Sequence, residues 1–375
     1  MKVLYDSQIF DWQINGGISR YFVEVLQRLQ NMNGIKVDLK VKHSYNTYIQ
    51  DSCWLLNKPV LKKVHFKGKL GALKIINEKI NRPYSNRLLK NGKTDIFHPT
   101  YYDPYFLKYL KKKPLVLTVY DLTNEKFNDN TPLTQKVIAW KKKLITVADH
   151  IISISENTKK DIIEYYKTPA AKITTIYLSG GFEKNVAEAG EKMKPENLPG
   201  RYILFVGSRS QYKNFQAFVK EIAPLMIKED ISLVAAGGGL MNGEELSLLK
   251  EMQIERKVLA LPHVSDATLA SLYKNAIIFV FPSLYEGFGL PVLEAMQCGC
   301  PVLLSDNSSL PEVGGNAAEY FDPFKEGALQ NQLAQVLKNE ERRNAMKEAG
   351  YGQLKKFNWD KTSQSHIDVY NQIAL

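Results

Sequence analysis

The chain has 375 residues, which is more than one hydrophobic core usually organises, so we expect two domains. Hydrophobic residues make up 44% of it, as in soluble globular proteins, and no apolar run is long enough for a membrane-spanning helix. The formal net charge of +11 indicates an anionic partner; nucleic acid, an anionic membrane surface and phosphorylated small molecules all qualify.

In the first half of the chain, short apolar runs alternate with segments of helical periodicity. This alternation predicts a parallel, doubly wound α/β sheet. Gly16 and Gly17 precede the first helix after a strand, which marks either an anion site or a plain strand-to-helix turn. We place strands at residues 2–5, 37–41, 95–98, 115–120, 150–154 and 172–177, and a helix N-cap at Ser155.

Three features of the sequence bear on the cellular location of the protein: its cysteines, its N-terminus and one basic segment. Cys53, Cys298 and Cys300 give neither a disulfide framework nor a metal-binding spacing, and the N-terminus has no secretory pattern, so we expect a cytoplasmic location. Residues Lys58 to Arg87 are typical of a basic amphipathic helix. Such a helix either lies peripherally on an anionic membrane or is an ordinary surface helix with a solvated lysine face.

Residues 178–200 are rich in glycine, proline and charge, and we interpret them as the connection between two domains. Arg209 and Lys213 follow the next strand, where ligands of such sheets bind, and they can neutralise a diphosphate; a solvated pair is the alternative. Later elements are predicted as strands at residues 202–206, 231–235, 258–261, 277–281, 302–305 and 318–322, helices at residues 327–356 and a final helix at residues 359–375.

The most informative stretch is residues 277–299, where an apolar strand leads into a glycine-rich loop and then into a helix with Pro291 at its start. Such a loop directs a helix N-terminus beyond the end of the strand, where a phosphate is the natural occupant. Glu286 and Glu294 flank the loop with seven residues between them. Carboxylates at these two positions can accept hydrogen bonds from hydroxyl groups on either side of the phosphates, as in a nucleotide sugar.

This loop resembles the E-x7-E motif of retaining glycosyltransferases of family 4, which have the GT-B fold. The residues that carry the resemblance are Glu286, Gly287, Phe288, Gly289, Leu290, Pro291 and Glu294. Residues 300–302 (CPV) and 310–315 (LPEVGG) are similar to the family's continuation. The resemblance implies two Rossmann-like, doubly wound parallel-sheet domains facing a cleft. Residues 1–180 would bind the acceptor, with the helix at 359–375 packing back on them, and residues 181–358 would bind the nucleotide sugar.

The resemblance also implies site roles, residue by residue. Glu286 is expected to bind hydroxyls of the donor sugar, Glu294 the ribose hydroxyls, and the backbone of Val264 the nucleobase. The groups expected around the donor diphosphate are Gly17, Arg209, Lys213, Gly287, Phe288, Gly289 and Leu290.

Tyr120 stands where relatives carry a histidine near the reacting sugar. A tyrosine donates one hydrogen bond but does not titrate near neutral pH, so we expect no acid–base role for it. We place His98 at the cleft, where it can supply an imidazole instead. The aromatic loop at residues 99–105 is either a sugar-stacking surface or a packed turn.

The resemblance implies a retaining enzyme that moves a sugar from a nucleoside diphosphate sugar, with GDP-mannose as first choice, to a hydroxyl of a glycan or lipid-linked glycan. Its catalytic residues would be Glu286, Tyr120, Arg209 and Lys213. No metal ion or other cofactor is expected, because no Asp-x-Asp pair offers Mg²⁺ ligands. The alternatives are a GT-B-fold phosphorylase or epimerase and, ranked low because no reader motif is recognisable, a nucleic-acid-binding protein.

Overall fold

The computed structural model describes residues 1–50, 52–57, 69–182, 195 and 197–374. They fold into two compact units, which we call unit 1 (Met1–Leu178 and Trp359–Leu375) and unit 2 (Ser179–Asn358). Most of the expected connection at residues 178–200 lies outside the described residues, and so do residues 58–68 of the basic segment.

The strands of unit 1 are β1 (Lys2–Tyr5), β2 (Lys36–Asp38), β3 (Ile96–His98), β4 (Val116–Val119), β5 (His150–Ser153) and β6 (Ile173–Thr175). They pair in parallel, in the orders β2-β1-β3 and β4-β5-β6. A parallel bridge between Phe97 and Leu115 joins β3 to the start of β4. The parallel sheet predicted for the first half of the chain is thus confirmed.

The helices of unit 1 before its last one are α1 (Gln8–Trp12), α2 (Gly17–Gln30), α3 (Lys69–Asn91), α4 (Leu107–Leu110), α5 (Thr123–Lys126), α6 (Pro132–Val147) and α7 (Glu156–Tyr166). Local sequence sets several of their starts. Thr131 accepts a hydrogen bond from Thr134 N just before Pro132 opens α6. Ser155 accepts one from Thr158 N at the start of α7, which confirms the predicted cap.

The strands of unit 2 are β7 (Tyr202–Val206), β8 (Ser232–Ala236), β9 (Val258–Leu261), β10 (Ile278–Phe281), β11 (Val302–Ser305) and β12 (Glu319–Phe321). They form one parallel sheet in the order β12-β11-β10-β7-β8-β9. The central strands β7, β10 and β11 are buried along their whole length, which is why they read as unbroken apolar runs. The last strand lies at an edge of the sheet, as predicted.

The helices in the described part of unit 2 are α8 (Phe215–Lys228), α9 (Gly243–Glu251), α10 (Asp266–Asn275), α11 (Leu290–Gln297), α12 (Leu310–Gly314), α13 (Ala328–Lys338) and α14 (Glu340–Leu354). Phe205 of β7 packs against Phe215 and Phe218 of α8, with ring centroids 4.9 and 5.8 Å apart. This contact fixes α8 beside the strand and places the loop of residues 207–214 at the carboxyl end of β7.

The last helix, α15 (Trp359–Ile373), belongs to unit 1 and packs against α2. Its polar side chains enter the core of that unit. His366 Nδ1 lies 2.7 Å from the carbonyl oxygen of Thr362 and donates to it, while its Nε2 lies 2.6 Å from Tyr21 OH and accepts from it. Tyr370 OH lies 2.5 Å from Tyr5 OH. These bonds fasten the C-terminal helix to the sheet and to α2.

Acidification is expected to destabilise unit 1 through His98 and His366. Burial lowers the pKa of His98 well below its ordinary 6.5, and the neighbouring His366 lowers it further. Burial also lowers the pKa of His366, to about 4. Both rings are therefore neutral in the folded state, whereas the unfolded chain protonates them below about pH 6.5. Their contribution to stability is full above that pH and is lost progressively as the pH falls toward 4.

Tryptophan fluorescence can follow this effect, because all four tryptophans lie in unit 1: Trp12, Trp54, Trp140 and Trp359. We expect the urea midpoint to fall between about pH 7 and about pH 5. The fall should be smaller in His366→Gln and unchanged in the control His263→Gln, since His263 is exposed in unit 2. An equal fall in all three proteins would show that the histidines are not its cause.

Candidate active site

The loops that follow β7, β10 and β11 are hydrogen-bonded to one another at the carboxyl edge of the sheet of unit 2. Leu284 N donates to the carbonyl oxygen of Tyr212 (2.7 Å), and Asn307 Nδ2 donates to that of Leu284 (2.9 Å). Glu286 N donates to Ser308 Oγ at 3.1 Å. Parallel sheets bind their ligands at this edge, and loops cross-linked in this way hold their side chains in fixed positions.

The glycine-rich loop ends at Gly289, which precedes α11 in a left-handed conformation with φ of +115°. A methyl group there would lie 3.1 Å from Leu310 Cδ2, so backbone angle and packing both favour glycine. Ser309 Oγ holds the loop as well, since it lies 2.7 Å from the carbonyl oxygen of Phe288 and 2.9 Å from that of Glu286. The start of α11, with Pro291 in its first turn, therefore has a defined place at the ligand-binding edge.

Gly289→Ala is expected to lower both stability and activity. An L-residue in the left-handed region costs about 1–2 kcal/mol, and the contact with Leu310 forces the loop to shift. A displaced loop should lower turnover by about 10–100-fold, which steady-state kinetics can measure. Gly352→Ala is the control, because a methyl group at this position of α14 would meet no described atom within 4 Å. Wild-type turnover in folded Gly289→Ala would show that the loop conformation is not needed.

Lys213 and Glu286 form an ion pair at these loops. Lys213 Nζ lies 2.6 Å from Glu286 Oε1, and each side chain is 12% exposed. The ammonium also lies 4.9 Å from the centroid of the Phe281 ring, at the end of β10. The lysine comes from a short 3-10 turn, Gln211–Lys213, just before α8. The structure thus brings together two of the predicted site residues, 73 positions apart in sequence, and offers a ligand a cation beside a hydrogen-bond acceptor.

Arg209, predicted to bind the diphosphate, is bound elsewhere in unit 2. Its Nε donates to Glu245 Oε1 at 2.7 Å, and the side chain is 4% exposed. Its terminal nitrogens donate to the carbonyl oxygens of Gly237 (2.8 Å), Gly239 (3.1 Å) and Leu240 (2.8 Å). These four hydrogen bonds use most of the five guanidinium N–H groups. Arg209 therefore braces the loop after β8 instead of joining the ion pair described above, and its diphosphate role stays a prediction.

Glu294, the second carboxylate of the motif, lies on α11 beside α10. Tyr273 OH of α10 lies 3.4 Å from Glu294 Oε2. Burial raises the pKa of this phenol, and the nearby carboxylate raises it further, so Tyr273 stays protonated and donates. α10 follows its cap Ser265, which puts Val264 at the end of the loop after β9. The ribose role of Glu294 and the nucleobase role of Val264 stay predictions.

Unit 1 holds the remaining predicted site residues. Gly17 is exposed at the first position of α2, and its role stays a prediction. Tyr120 is buried, and its hydroxyl donates to the carbonyl oxygen of Thr100 at 3.0 Å. Burial raises the pKa of Tyr120 well above its ordinary range, so the phenol stays protonated near neutral pH. Any role of Tyr120 at the sugar stays a prediction.

The placement of His98 at a cleft is wrong. Its side chain is fully buried, with Nδ1 2.8 Å from Tyr370 OH and Nε2 2.9 Å from Thr118 Oγ1. The aromatic loop that follows it is a packed turn, since Tyr102 is buried and its hydroxyl accepts a hydrogen bond from Tyr120 N at 3.0 Å. Both features belong to the core of unit 1.

Sequence reasoning misses Ser308 and Ser309, whose hydroxyls bind the backbone of the glycine-rich loop. Only their position in the sequence could have indicated them, because they directly precede the run Leu310-Pro311-Glu312 that carries part of the family resemblance. Without the fold, nothing in two adjacent serines indicates which backbone atoms they contact.

Two family models match the chain. The model for Glycosyltransferase Family 4 matches residues 15–178, and the model for Glycosyl transferases group 1 matches residues 186–353, which include the whole loop from Glu286 to Glu294. The chain belongs to glycosyltransferase family 4. The predicted family and the prediction that the chain is a glycosyltransferase are both confirmed.

This glycosyltransferase is 28% identical over 387 residues to the O-antigen chain mannosyltransferase B of Escherichia coli, and the match covers 99% of either chain. Among solved structures, sucrose-phosphate synthase of Thermosynechococcus elongatus matches with a TM-score of 0.72 and 18% identity, over 99% of this chain and 98% of that one. Anabaena HepE in complex with UDP and glucose matches with a TM-score of 0.71 and 15% identity, over 98% of either chain. These likenesses confirm the predicted GT-B fold.

Proposed function

We propose that this glycosyltransferase transfers mannose from GDP-mannose to a hydroxyl of a glycan or lipid-linked glycan, with retention of the anomeric configuration, in cell-surface polysaccharide synthesis. The observation that carries the proposal is the Lys213–Glu286 pair at the loop before α11. Support for mannose comes from the E. coli relative, which is named an O-antigen chain mannosyltransferase and matches over 99% of this chain.

In the proposed reaction, the bond between C1 of the sugar and an oxygen of the diphosphate breaks, and negative charge develops on the diphosphate. Lys213 supplies positive charge at that place, and the N-terminus of α11 adds the partial charge of its backbone N–H groups. The acceptor oxygen bonds to C1 on the face from which the diphosphate leaves, and its proton passes to the departing phosphate oxygen. The proton balance therefore needs no protein base, in keeping with the buried phenol of Tyr120.

Glu286 accepts hydrogen bonds from hydroxyls of the donor sugar in this proposal. An ammonium has three N–H donors, so Lys213 can hold Glu286 in position while it binds the diphosphate. Glu294 binds the ribose hydroxyls, and the backbone of Val264 contacts the nucleobase. Unit 2 then binds the nucleotide sugar, and unit 1 binds the acceptor.

We further propose that the transfer needs no metal ion. Lys213 and the start of α11 supply the positive charge that a metal would otherwise bring to the diphosphate. In the described ranges, no three His, Cys, Asp or Glu side chains are grouped so that they could hold a metal ion.

The experiment is a thermal-shift screen in EDTA over GDP, UDP, dTDP and ADP and their sugars, followed by product analysis by NMR. A bound nucleotide at 100 times its Kd stabilises a protein by about 2.7 kcal/mol, and we expect this shift with GDP and GDP-mannose. The product should carry an α-linked mannose, with release of GDP. A thermal shift with UDP alone would exclude GDP-mannose as the donor. A product with inverted anomeric configuration would exclude a retaining mechanism, and transfer without release of GDP would indicate a phosphorylase.

We infer a second contact, between α3 and an anionic membrane surface. Ile75, Ile76 and Ile80 on this helix are 54%, 41% and 38% exposed, and Lys79 and Arg87 are exposed beside them. Isoleucines bordered by cations are what an interfacial helix presents to lipid headgroups. No helix in the described ranges has both the length and the apolar character needed to cross a bilayer.

The double variant Ile76→Ser/Ile80→Ser is expected to bind vesicles several-fold more weakly, because each isoleucine loses part of the roughly 1.5–3 kcal/mol available from burying its side chain. The measurement is co-sedimentation with vesicles of phosphatidylcholine and phosphatidylglycerol. Ile227→Ser is the control, since Ile227 is 51% exposed on α8 of unit 2. If the double variant sediments like wild type, α3 is not the contact.

A further inference from the structure

A cavity in unit 1 has the chemistry of an anion-binding site. Its volume is about 340 Å³, within the range of roughly 300–1,000 Å³ that is common for small-ligand sites. Residues 10–15, Tyr45 and the first turns of α3 line it. These residues are remote in sequence from the Lys213–Glu286 loops, and none of them belongs to the motif that carries the family resemblance.

Lys74 of α3 places a cation in the wall of this cavity. Its Nζ lies 3.2 Å from the centroid of the Trp12 ring, which holds the ammonium in place. Trp12 is fixed in turn, because its Nε1 donates to Glu78 Oε1 at 2.7 Å. Burial lowers the pKa of Lys74; the carboxylates of Glu78 and Asp103 raise it, and the positive charges of Arg82 and Lys136 lower it further. Lys74 has no carboxylate in ion-pair contact within the described chain, so a bound anion would stabilise it.

Two amide side chains in the same wall add hydrogen-bond donors. Gln13 Oε1 accepts from Ser19 N at 3.1 Å, and Asn77 Oδ1 lies 2.7 Å from His43 Nδ1. Their NH₂ groups have no partner in the part of the chain that the structure describes. Gly16 makes this position of Gln13 possible, since a methyl group on Gly16 would lie 2.6 Å from Gln13 Oε1. The residues that line the cavity thus include one ammonium and these two side-chain amides.

The carboxyl groups of Asp11 and Glu78 already have partners. Asp11, which also lines the cavity, accepts hydrogen bonds from Asn81 Nδ2 (2.6 Å) and Ser7 Oγ (2.8 Å). Burial raises the pKa of Asp11 well above its ordinary value, which favours its neutral form. Glu78 is paired with Arg82 at 3.3 Å. Neither group opposes a bound anion as a free carboxylate would.

We propose that this cavity binds the phosphate group of a phosphorylated acceptor, either a soluble sugar phosphate or a lipid-linked diphosphate sugar. A phosphate has enough oxygens to accept from the ammonium of Lys74 and from both amides at once. The apolar part of the wall, with Leu73 and Tyr45, suits the face of an adjoining sugar ring. The inference rests on the proposed function, because it takes the ligand to be the glycosyl acceptor. Lys74 then determines acceptor specificity and takes no part in the chemical step.

The test is a titration followed by tryptophan fluorescence, which reports unit 1 and includes Trp12. The probes are mannose, inorganic phosphate, mannose 1-phosphate and a short-chain polyprenyl diphosphate that carries one mannose. We expect a phosphorylated sugar to bind about tenfold or more tightly than mannose, and Lys74→Met to weaken it about 10–100-fold, as for hydrogen bonds to charged groups. Lys74→Arg keeps the charge and should retain most of the affinity. Whether the soluble or the lipid-linked probe binds better identifies the source of the phosphate.

Lys90→Met is the matched control, because Lys90 is exposed in the last turn of the same helix. Equal affinity for mannose and for both phosphorylated sugars, or equal affinity in Lys74→Met and Lys90→Met, would overturn the proposal. In the transfer assay, Lys74→Met should raise the acceptor KM while kcat and the thermal shift with GDP stay unchanged; a wild-type KM would overturn it too. The titration contains no donor, so a failure of GDP-mannose as donor leaves its result intact.

Discussion

Replacing Lys213 by alanine is expected to lower kcat by about 10²–10³-fold, the loss seen when one preorganised donor to developing negative charge is removed. In the proposed reaction, this negative charge develops on the departing diphosphate. Glu286, whose carboxylate lies 2.6 Å from the ammonium, also loses the contact that orients it toward the donor sugar. The measurement is turnover of GDP-mannose at saturating donor, together with the thermal shift produced by GDP, which should shrink.

Two further variants separate this effect from a general loss of charge. Lys228→Ala removes an exposed lysine from the other end of α8 and should leave turnover unchanged. Lys213→Arg restores a cation and should recover part of the rate, although a guanidinium is bulkier and differently directed. Wild-type turnover in folded Lys213→Ala would contradict the role proposed for the Lys213–Glu286 pair, on which the proposed function rests.

The loop before α11 could be predicted from sequence because its signals are local. An apolar run predicts the strand, glycine permits the left-handed turn at Gly289, and Pro291 marks the first helical turn. Arg209 shows the limit of such signals. Its position after β7 could be predicted, but its partner Glu245 lies 36 positions further on, and no local pattern shows that the two side chains are buried together.

Unit 1 shows the same limit in its core. His98 ends a strand, where a ligand-facing side chain is a reasonable prediction, yet Tyr370 from the final helix, 272 positions away, covers it. On α3 the helical periodicity is visible, but the inward face is not. Asn81 is fully buried because its side chain bonds Asp11 and the backbone of His43, whereas Ile76 on the outer face is 41% exposed. The hydrogen-bond partners of buried polar side chains decide which face of the helix points inward, and these partners belong to residues distant in sequence.

Glu125→Ala is expected to destabilise unit 1 by about 3–5 kcal/mol, because it leaves a buried ammonium without its counter-charge. Lys141 Nζ lies 2.9 Å from Glu125 Oε2, and the two side chains are 1% and 0% exposed. The carboxylate also accepts a hydrogen bond from Tyr166 OH, so the substitution removes the partner of this half-buried hydroxyl as well. Urea unfolding followed by tryptophan fluorescence measures the loss, since every tryptophan of the chain lies in this unit.

The double variant Glu125→Leu/Lys141→Met should recover most of that loss, because it removes both charges and fills their space with apolar atoms. A double variant as unstable as Glu125→Ala would show that the pair itself, and not the unpaired ammonium, decides the stability. Transfer kinetics of the double variant carry separate information. Lys141 Nζ also donates to the carbonyl oxygen of Asp121 at 2.9 Å, in the loop directly after Tyr120. If the double variant is stable but slow, the buried pair serves to position that loop. Apolar packing alone would then be sufficient for stability.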